Sequence, residues 1–460
     1  MRRVYVEARV DEWDYFPGGF DFMHGVPGAE SSHASHLTRF DPPASVGSRF
    51  LKLRFHRFVD ASFSEPWPAD PSLGLLGFLA HAEVGDRIAF TLRNRAHVPV
   101  SAHPHGVMYT KANEGLPSPG QAPDEVEDDA IAPGGEFAYV WDAAERSGPA
   151  AGDGVSSLGW LVHSHVDEAA DVAAGLVGFV AVTRRGWARP DGSPADVDRE
   201  FAVLWSIQDE GKSTVRRESM AWALAGRPVG GAADAASWGN VSGGEVDAAL
   251  EAAAGGMGMM QHSVNGRLFG TLGGLEMREG ERVRWYSAAL GDDRDVHTAH
   301  WHGGTVVEAG SRRVDTITLL PATHSTADMV PDAVGTFLLH CHVDHHMAMG
   351  MAANWTVLPC GGDPCPASPG TLALRGLQEA EAAASRAQTA GTGNFNPAMW
   401  LWFAAGATAA LAAALAAAVA RAGVFRCRAG GLYNVVPTES GEADGSGDAR
   451  VAASRPSTAA

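Results

Sequence analysis

The stretch "LLHCHVDHHMAMGM", residues 338–351, packs His340, Cys341, His342, His345, His346, Met347, Met349 and Met351 together. Three further clusters accompany it: "SAHPHG" with His103 and His105, "LVHSHVD" with His163 and His165, and "VHTAHWHGG" with His297, His300 and His302. Together the four clusters hold eleven of the 19 histidines. Side chains alternate along a strand, so His-X-His places both imidazoles on one face. One such pair is compatible with packing; four of them point to metal. Structural zinc sites favour paired cysteines, and these clusters offer a single thiolate among imidazoles and thioethers. Imidazole suits copper, and two histidines, one cysteine and a weak axial methionine describe a blue-copper electron-transfer site. His297, Cys341, His346 and Met351 supply that set. His103, His105, His163, His165, His300, His302, His340 and His342 remain. Two coppers with three imidazoles each and one with two would use all eight.

Strands must position these residues. "RIAFTLRN", "VRWYSAA" and "FAVLWS" read as alternating strands, and Gly, Pro, Asp and Asn punctuate the runs. The pattern predicts an all-β fold of two Greek-key β-sandwich domains, near 1–185 and 198–360, joined by "RRGWARPDGSPADVDRE". A weak internal echo supports duplication: "GLLGFLAHAEVGDRIAFTLRN" (74–94) parallels "RLFGTLGGLEMREGERVRWYS" (267–287). Residues 361–397 read as a stalk with a short helix over "LALRGLQEAEAAASRAQ". The uncharged run 398–420, "AMWLWFAAGATAALAAALAAAVA", has the length of a single transmembrane helix. Trp400 and Trp402 suit one interface. Arg421, Arg426 and Arg428 put a polar, disordered tail, 421–460, in the cytoplasm. The catalytic part then faces the outside or a lumen. The leader expected of an exported chain is not visible in "MRRVYVEARV", which starts basic and then alternates like a strand. Sequons at Asn240 and Asn354 fit a glycoprotein.

The net charge of −19 argues against nucleic acid as a partner and favours metal cations. The chain has 4 cysteines, too few for a disulfide scaffold. Cys360 and Cys365, in "CGGDPC", are placed for a local disulfide. Cys427, beside the apolar run, is a candidate for acylation.

In order and spacing the four clusters resemble those of multicopper oxidases. "WDYFPGG", "GLLGFLAHAEVGDRI", "HGVMYTKANEG", "SVNGRLFGTLGGLEM" and "RVDTITLLPAT" resemble the ceruloplasmin and hephaestin branch, over roughly residues 3–358. The resemblance implies cupredoxin domains and four coppers per active unit. The type-1 ligands would be His297, Cys341, His346 and Met351, and the type-2 ligands His103 and His300. The type-3 pair would take His105, His163, His165, His302, His340 and His342. Cys341, His340 and His342 would carry electrons from the type-1 copper to the cluster that reduces dioxygen to water. Because each sandwich holds only half of the cluster ligands, the resemblance to a six-domain ring implies a homotrimer.

The branch implies Fe(II) as substrate and a possible metal permease as partner. The family's iron site uses acids and a histidine beside the type-1 copper. His262 matches that histidine, but Met257 and His345 stand where acids are expected, and Asp344 is shifted by one. Met257, Met259 and Met260 beside His262 make Cu(I) oxidation the competing reading, since thioethers favour soft ions. A laccase-like oxidase of organic substrates is a third reading, and a copper-binding scaffold the non-enzymatic one. Lys111, Glu114, Glu125, Asp128 and Asp129 match positions that hold calcium in related A domains, and calcium takes such oxygen ligands.

Overall fold

The computed structural model describes residues 1–42, 44–227, 241–291, 296–362, 365 and 367–390. Four β-sheets dominate it. The first runs in the order Arg49–Phe58, Arg2–Asp14, Arg87–Asn94, Glu136–Asp142, and the second Leu79–Glu83, Val177–Thr183, Ser157–His163, His103–Pro104. The third runs Met260–Val264, Arg199–Asp209, Val283–Ala289, His324–Met329, Val306–Glu308, Arg312–Val314. The fourth runs Glu276–Arg278, Ala352–Leu358, Gly335–Cys341, His297–Trp301, Thr316–Leu319.

The echo between the halves is visible in these orders. Arg2–Asp14 pairs in parallel with Arg87–Asn94, as Arg199–Asp209 does with Val283–Ala289. Leu79–Glu83 pairs in parallel with Val177–Thr183, as Glu276–Arg278 does with Ala352–Leu358.

The sheets stack as layers. Val6, Leu53, Phe90 and Trp141 of the first sheet meet Val180 and Val182 of the second. Val203, Trp205 and Trp285 of the third meet Leu339, Cys341 and Trp355 of the fourth. Between these cores lies another: Leu161, Phe179 and Ala181 of the second sheet pack on Ala202, Leu204, Tyr286 and Ala288 of the third. The middle sheets are therefore covered on both faces. This corrects the expected alternation of "FAVLWS" and "VRWYSAA". "RIAFTLRN" alternates as expected, whereas Val283–Ala289 is buried throughout and Arg199–Asp209 is buried from Phe201 to Gln208. A strand sandwiched between layers reads as a continuous apolar run.

A buried ion pair within the third sheet reaches across the seam through its arginine. Arg284, fully buried, donates to Asp328 from Nε (2.7 Å) and Nη2 (2.8 Å), and its Nη1 donates to Ser156 and Ser157 of the other half.

Insertions outside the sandwiches build a satellite core. Tyr15, Phe16, Leu37 and Phe50 pack there with Met220 of helix Arg216–Leu224 and Val246 of helix Gly243–Ala253. Phe269 belongs to this core and also touches the loop after His346. A Cβ on Gly350 (φ +101°) would lie 2.5 Å from Phe269 Cε2. Only glycine accommodates both that approach and that φ.

Beyond the fourth sheet, Cys360 and Cys365 form a disulfide. Helix Pro369–Ala390 follows and docks back on the connection between the halves. Trp187 Nε1 donates to Glu381 at 2.9 Å, and Gly370 N donates to Asp198 at 2.7 Å. None of the helices of the described residues is long and apolar enough to cross a membrane. The run 398–420, the tail 421–460 with Cys427, and Asn240 lie outside the described residues. Asn354 is half-buried in Ala352–Leu358.

Candidate metal centres

Three groups of imidazoles form. In the first half, antiparallel pairing sets His103 opposite His163, and His105 and His165 project beside them. Ring centroids within this quartet lie 5.2–5.6 Å apart. In the second half His300 stands opposite His340 in the same register, with His302 and His342 alongside. Their centroids lie 4.9–5.4 Å apart.

Backbone carbonyls fix the tautomers. The Nδ1–H groups of His103, His163, His300 and His340 donate to the carbonyls of Glu114 (2.6 Å), Ser164 (3.0 Å), Asp315 (2.9 Å) and Cys341 (2.8 Å). Each Nε2 is left as the ligand atom. His105 Nε2 lies 3.0 Å from His163 Nε2, and His302 Nε2 lies 3.0 Å from His340 Nε2. That separation suits neighbouring ligands on one ion with metal–nitrogen bonds of about 2.0 Å. Burial first, then the adjacent His163 and His103, pushes His105 down to about 3, and burial pushes His163 down to about 4. Burial also lowers His103, His302 and His340. The rings with lowered values stay neutral and ligand-ready at neutral pH.

The third group is buried in the fourth sheet. Cys341 Sγ lies 3.5 Å from His346 Nδ1 and 3.9 Å from His297 Nδ1. The side chains of His297, Cys341 and His346 are all buried, and their ligand atoms lie within 4.8 Å of one another. Met351 is fully buried in the same core. Its carbonyl accepts from Cys341 N, and its N–H donates to the His346 carbonyl. The residues present fit copper: a thiolate and two imidazoles in one group, imidazoles alone in the others.

A correspondence missed at the sequence level explains why only one half has a sulfur site. Ser164 lies between His163 and His165, as Cys341 lies between His340 and His342. Ser101 N donates to Ser164 Oγ at 3.1 Å, and Thr298 N donates to Cys341 Sγ at 3.4 Å. Counted by the same offsets, Val100, Ala169 and Ala174 stand where His297, His346 and Met351 stand. "LVHSHVD" against "LLHCHVD" is the signal that could have found this.

Two further groups also escaped the sequence reading. Glu168 pairs with His165 at 3.2 Å, and that hydrogen bond holds its carboxyl down to about 2. His324 of the third sheet sits against Trp160, with ring centroids 4.5 Å apart.

Beside the sulfur group, His262 is buried, with its ring 5.2 Å from His345 and 5.4 Å from His346. Asp344 and His345 are exposed at the start of helix Asp344–Ala348. Met260 shares a strand face with His262, whereas Met259 is buried in the satellite core. Met257 opens the turn Met257–Met259, and its side chain lies outside the described ones.

The calcium candidates divide. Asp128 is fully buried; its Oδ2 accepts from Gly115 N at 2.7 Å, and its Oδ1 has no hydrogen-bond partner among the described residues. Asp129 accepts from Gln121, and Glu125 accepts from Ala122 N. Glu114 is held by the Lys111 ammonium at 2.7 Å.

Residues 245–360 match the family described as Multicopper oxidase. The chain is 33% identical to hephaestin of Mus musculus over 362 residues, 78% of this chain and 29% of that protein. It is 34% identical to Ferroxidase HEPHL1 of Mus musculus over 79% of this chain and 30% of that protein. It is 31% identical to ceruloplasmin of Rattus norvegicus over 79% of this chain and 33% of that protein. The chain thus spans about a third of the length of these relatives. A solved multicopper oxidase aligns over 78% of this chain and 89% of its own, at 16% identity and a TM-score of 0.45. With its histidine quartets and its buried cysteine centre, the chain belongs to the multicopper oxidase family.

Proposed function

We propose that the protein oxidises a metal ion, Fe(II) foremost, with dioxygen as the acceptor. The observation that carries this is the His340–Cys341–His342 strand end. Cys341 faces His297 and His346, while its two neighbours belong to the second-half quartet. Copper held by these residues supplies one-electron acceptance at the Cys341 group, as type-1 copper, and dioxygen reduction at the quartets, as type-2 and type-3 coppers. Cys341 is joined to both histidines through one stretch of backbone, and its carbonyl accepts from His340 Nδ1. That is a short covalent and hydrogen-bonded route between the centres. Burial of Cys341 and Met351 keeps water from the thiolate side.

His345 and His262 define the approach of the reductant. His345 is exposed, His262 is buried beneath it, and the His262 ring also neighbours His346. Two imidazoles, with Met260 nearby, favour a borderline or soft ion more than carboxylates would. This supports a second reading, oxidation of Cu(I). Oxygen uptake by the copper-loaded protein with Fe(II), Cu(I) and a phenol in parallel separates these readings, and His345→Asp tests them further. If Fe(II) oxidation dominates and His345→Asp leaves it unchanged, the cuprous reading fails.

The complete dioxygen site is assembled between chains. Among the described residues, no hydrogen bond or ring contact joins the two quartets, and each provides four histidines at most. A cyclic homotrimer brings one chain's first-half quartet to its neighbour's second-half quartet. The chain is anchored by residues 398–420, with the sheets extracellular or lumenal, where a permease could receive its product. Calcium at Asp128 would tie down the loop that bears Gly115 and the Glu114 carbonyl, the partner of His103.

A further inference from the structure

The hairpin formed by Phe20–Asp21 and Val26–Pro27 carries His24 in its turn, and the following loop carries His33. Both side chains are exposed. Their rings stack with centroids 5.4 Å apart and planes 20° apart. The spacing is close to that of His297 and His346 (5.0 Å) and of His105 and His163 (5.2 Å) in the copper groups.

A buried carboxylate orients one member of the pair. Asp21 is fully buried, and its Oδ2 accepts from His24 Nδ1 at 2.8 Å and from Ser31 Oγ at 2.7 Å. Its Oδ1 accepts from the backbone N–H of Met23 and of His24. Asp21 is thus fully engaged and holds His24 with Nε2 outward, the arrangement by which outer-shell carboxylates prepare metal-binding imidazoles. The Ser31 hydroxyl in turn accepts from His33 N at 3.2 Å, so a single anchor positions both ligand-bearing segments. The His33 ring makes no hydrogen bond among the described residues.

We propose that His24 and His33 form a surface site for a divalent late first-row ion, Cu(II) or Zn(II), completed by water. Two imidazole ligands select such borderline ions over hard Ca²⁺ or Fe(III). Backbone hydrogen bonds link the hairpin of the site to the loop that leads to Met351. Phe22 N donates to the Phe269 carbonyl (3.0 Å), and Phe269 N donates to the Gly350 carbonyl, next to Met351 (2.9 Å). An ion held there is distinct from the four coppers, whose ligands include neither His24 nor His33.

The test is calorimetric titration of the copper-replete protein with Zn(II), a redox-silent probe. Wild type is expected to bind one Zn(II) per chain more than His24→Ala and one more than His33→Ala, with blue absorbance unchanged in all three. Asp21→Asn is expected to keep that stoichiometry with about 10-fold weaker binding, the low end of an outer-shell loss. If His24→Ala and His33→Ala bind as much Zn(II) as wild type with the same affinity, the site does not exist. Retained blue absorbance in the variants shows that the fold and the sulfur centre survive.

Discussion

Cys341 is the residue on which both kinds of centre turn. Its first-half counterpart, Ser164, occupies the same hydrogen-bonded place without strain, because a hydroxyl accepts the backbone N–H as the sulfur does. Cys341→Ser is therefore expected to fold with a melting temperature close to wild type and to lose blue absorbance and oxygen uptake entirely. A variant that keeps its blue colour would place the thiolate elsewhere. At the same scale, burial makes the quartets pH-sensitive without metal. His105 and His163 titrate at about 3 and about 4 in the fold, against about 6.5 in an unfolded chain. The unfolded chain takes up protons that the fold refuses. The copper-free protein is thus expected to lose stability as pH falls from about 6.5 to about 4, read by urea unfolding across that range. Stability that is flat over this window would contradict the buried, neutral imidazoles. The His-X-His spacing was legible in the sequence because strand alternation is a local rule. Glu168 and His324 were not: one is set by a turn after His165, the other by the packing of separate sheets.

The strands His297–Trp301 and Gly335–Cys341 bring His300 opposite His340, and their positions depend on the layers behind them. Arg284 and Asp328 pin the third sheet to the second through Ser156 and Ser157. Arg284→Met leaves the buried Asp328 carboxylate with Arg282 as its remaining ion-pair partner, so the expected cost lies below that of a buried charge left wholly unpaired, about 3–5 kcal/mol. Chemical denaturation measures it, and a change under about 1 kcal/mol would mean the seam does not depend on the pair. Gly350→Ala is expected to weaken the sulfur centre, because a Cβ meets Phe269 in a backbone conformation that alanine avoids. A shifted or bleached blue band is the readout. The strand character of "RIAFTLRN" was plain from its alternation. "FAVLWS" was recognisable as a strand, but its burial on both faces was not, since a second covering layer comes from residues more than twenty positions away. The short helices Arg216–Leu224 and Gly243–Ala253 were missed for the same reason: they are held by the satellite core, with only weak periodicity of their own.

At the scale of the whole molecule, the two halves meet through the second and third sheets, and among the described residues no hydrogen bond or ring contact joins their quartets. A single chain is then expected to hold the Cys341 centre while lacking a complete dioxygen site. Native mass measurement of the copper-loaded protein is expected to give a trimer, and dilution to monomer is expected to abolish oxygen uptake while the blue band persists. A fully active monomer would contradict the shared site. The duplication itself was partly visible in the echo of 74–94 by 267–287. The fusion of the two sandwiches through a shared core was not, because apolar residues in a sequence do not say which layer they face. The most direct test of the account is oxygen consumption by the copper-replete protein given Fe(II). The account predicts rapid uptake with four Fe(II) oxidised per dioxygen, water as the product, and a blue band that bleaches when oxygen is exhausted. No uptake with Fe(II), Cu(I) or a phenol from a fully blue, copper-replete protein would contradict it.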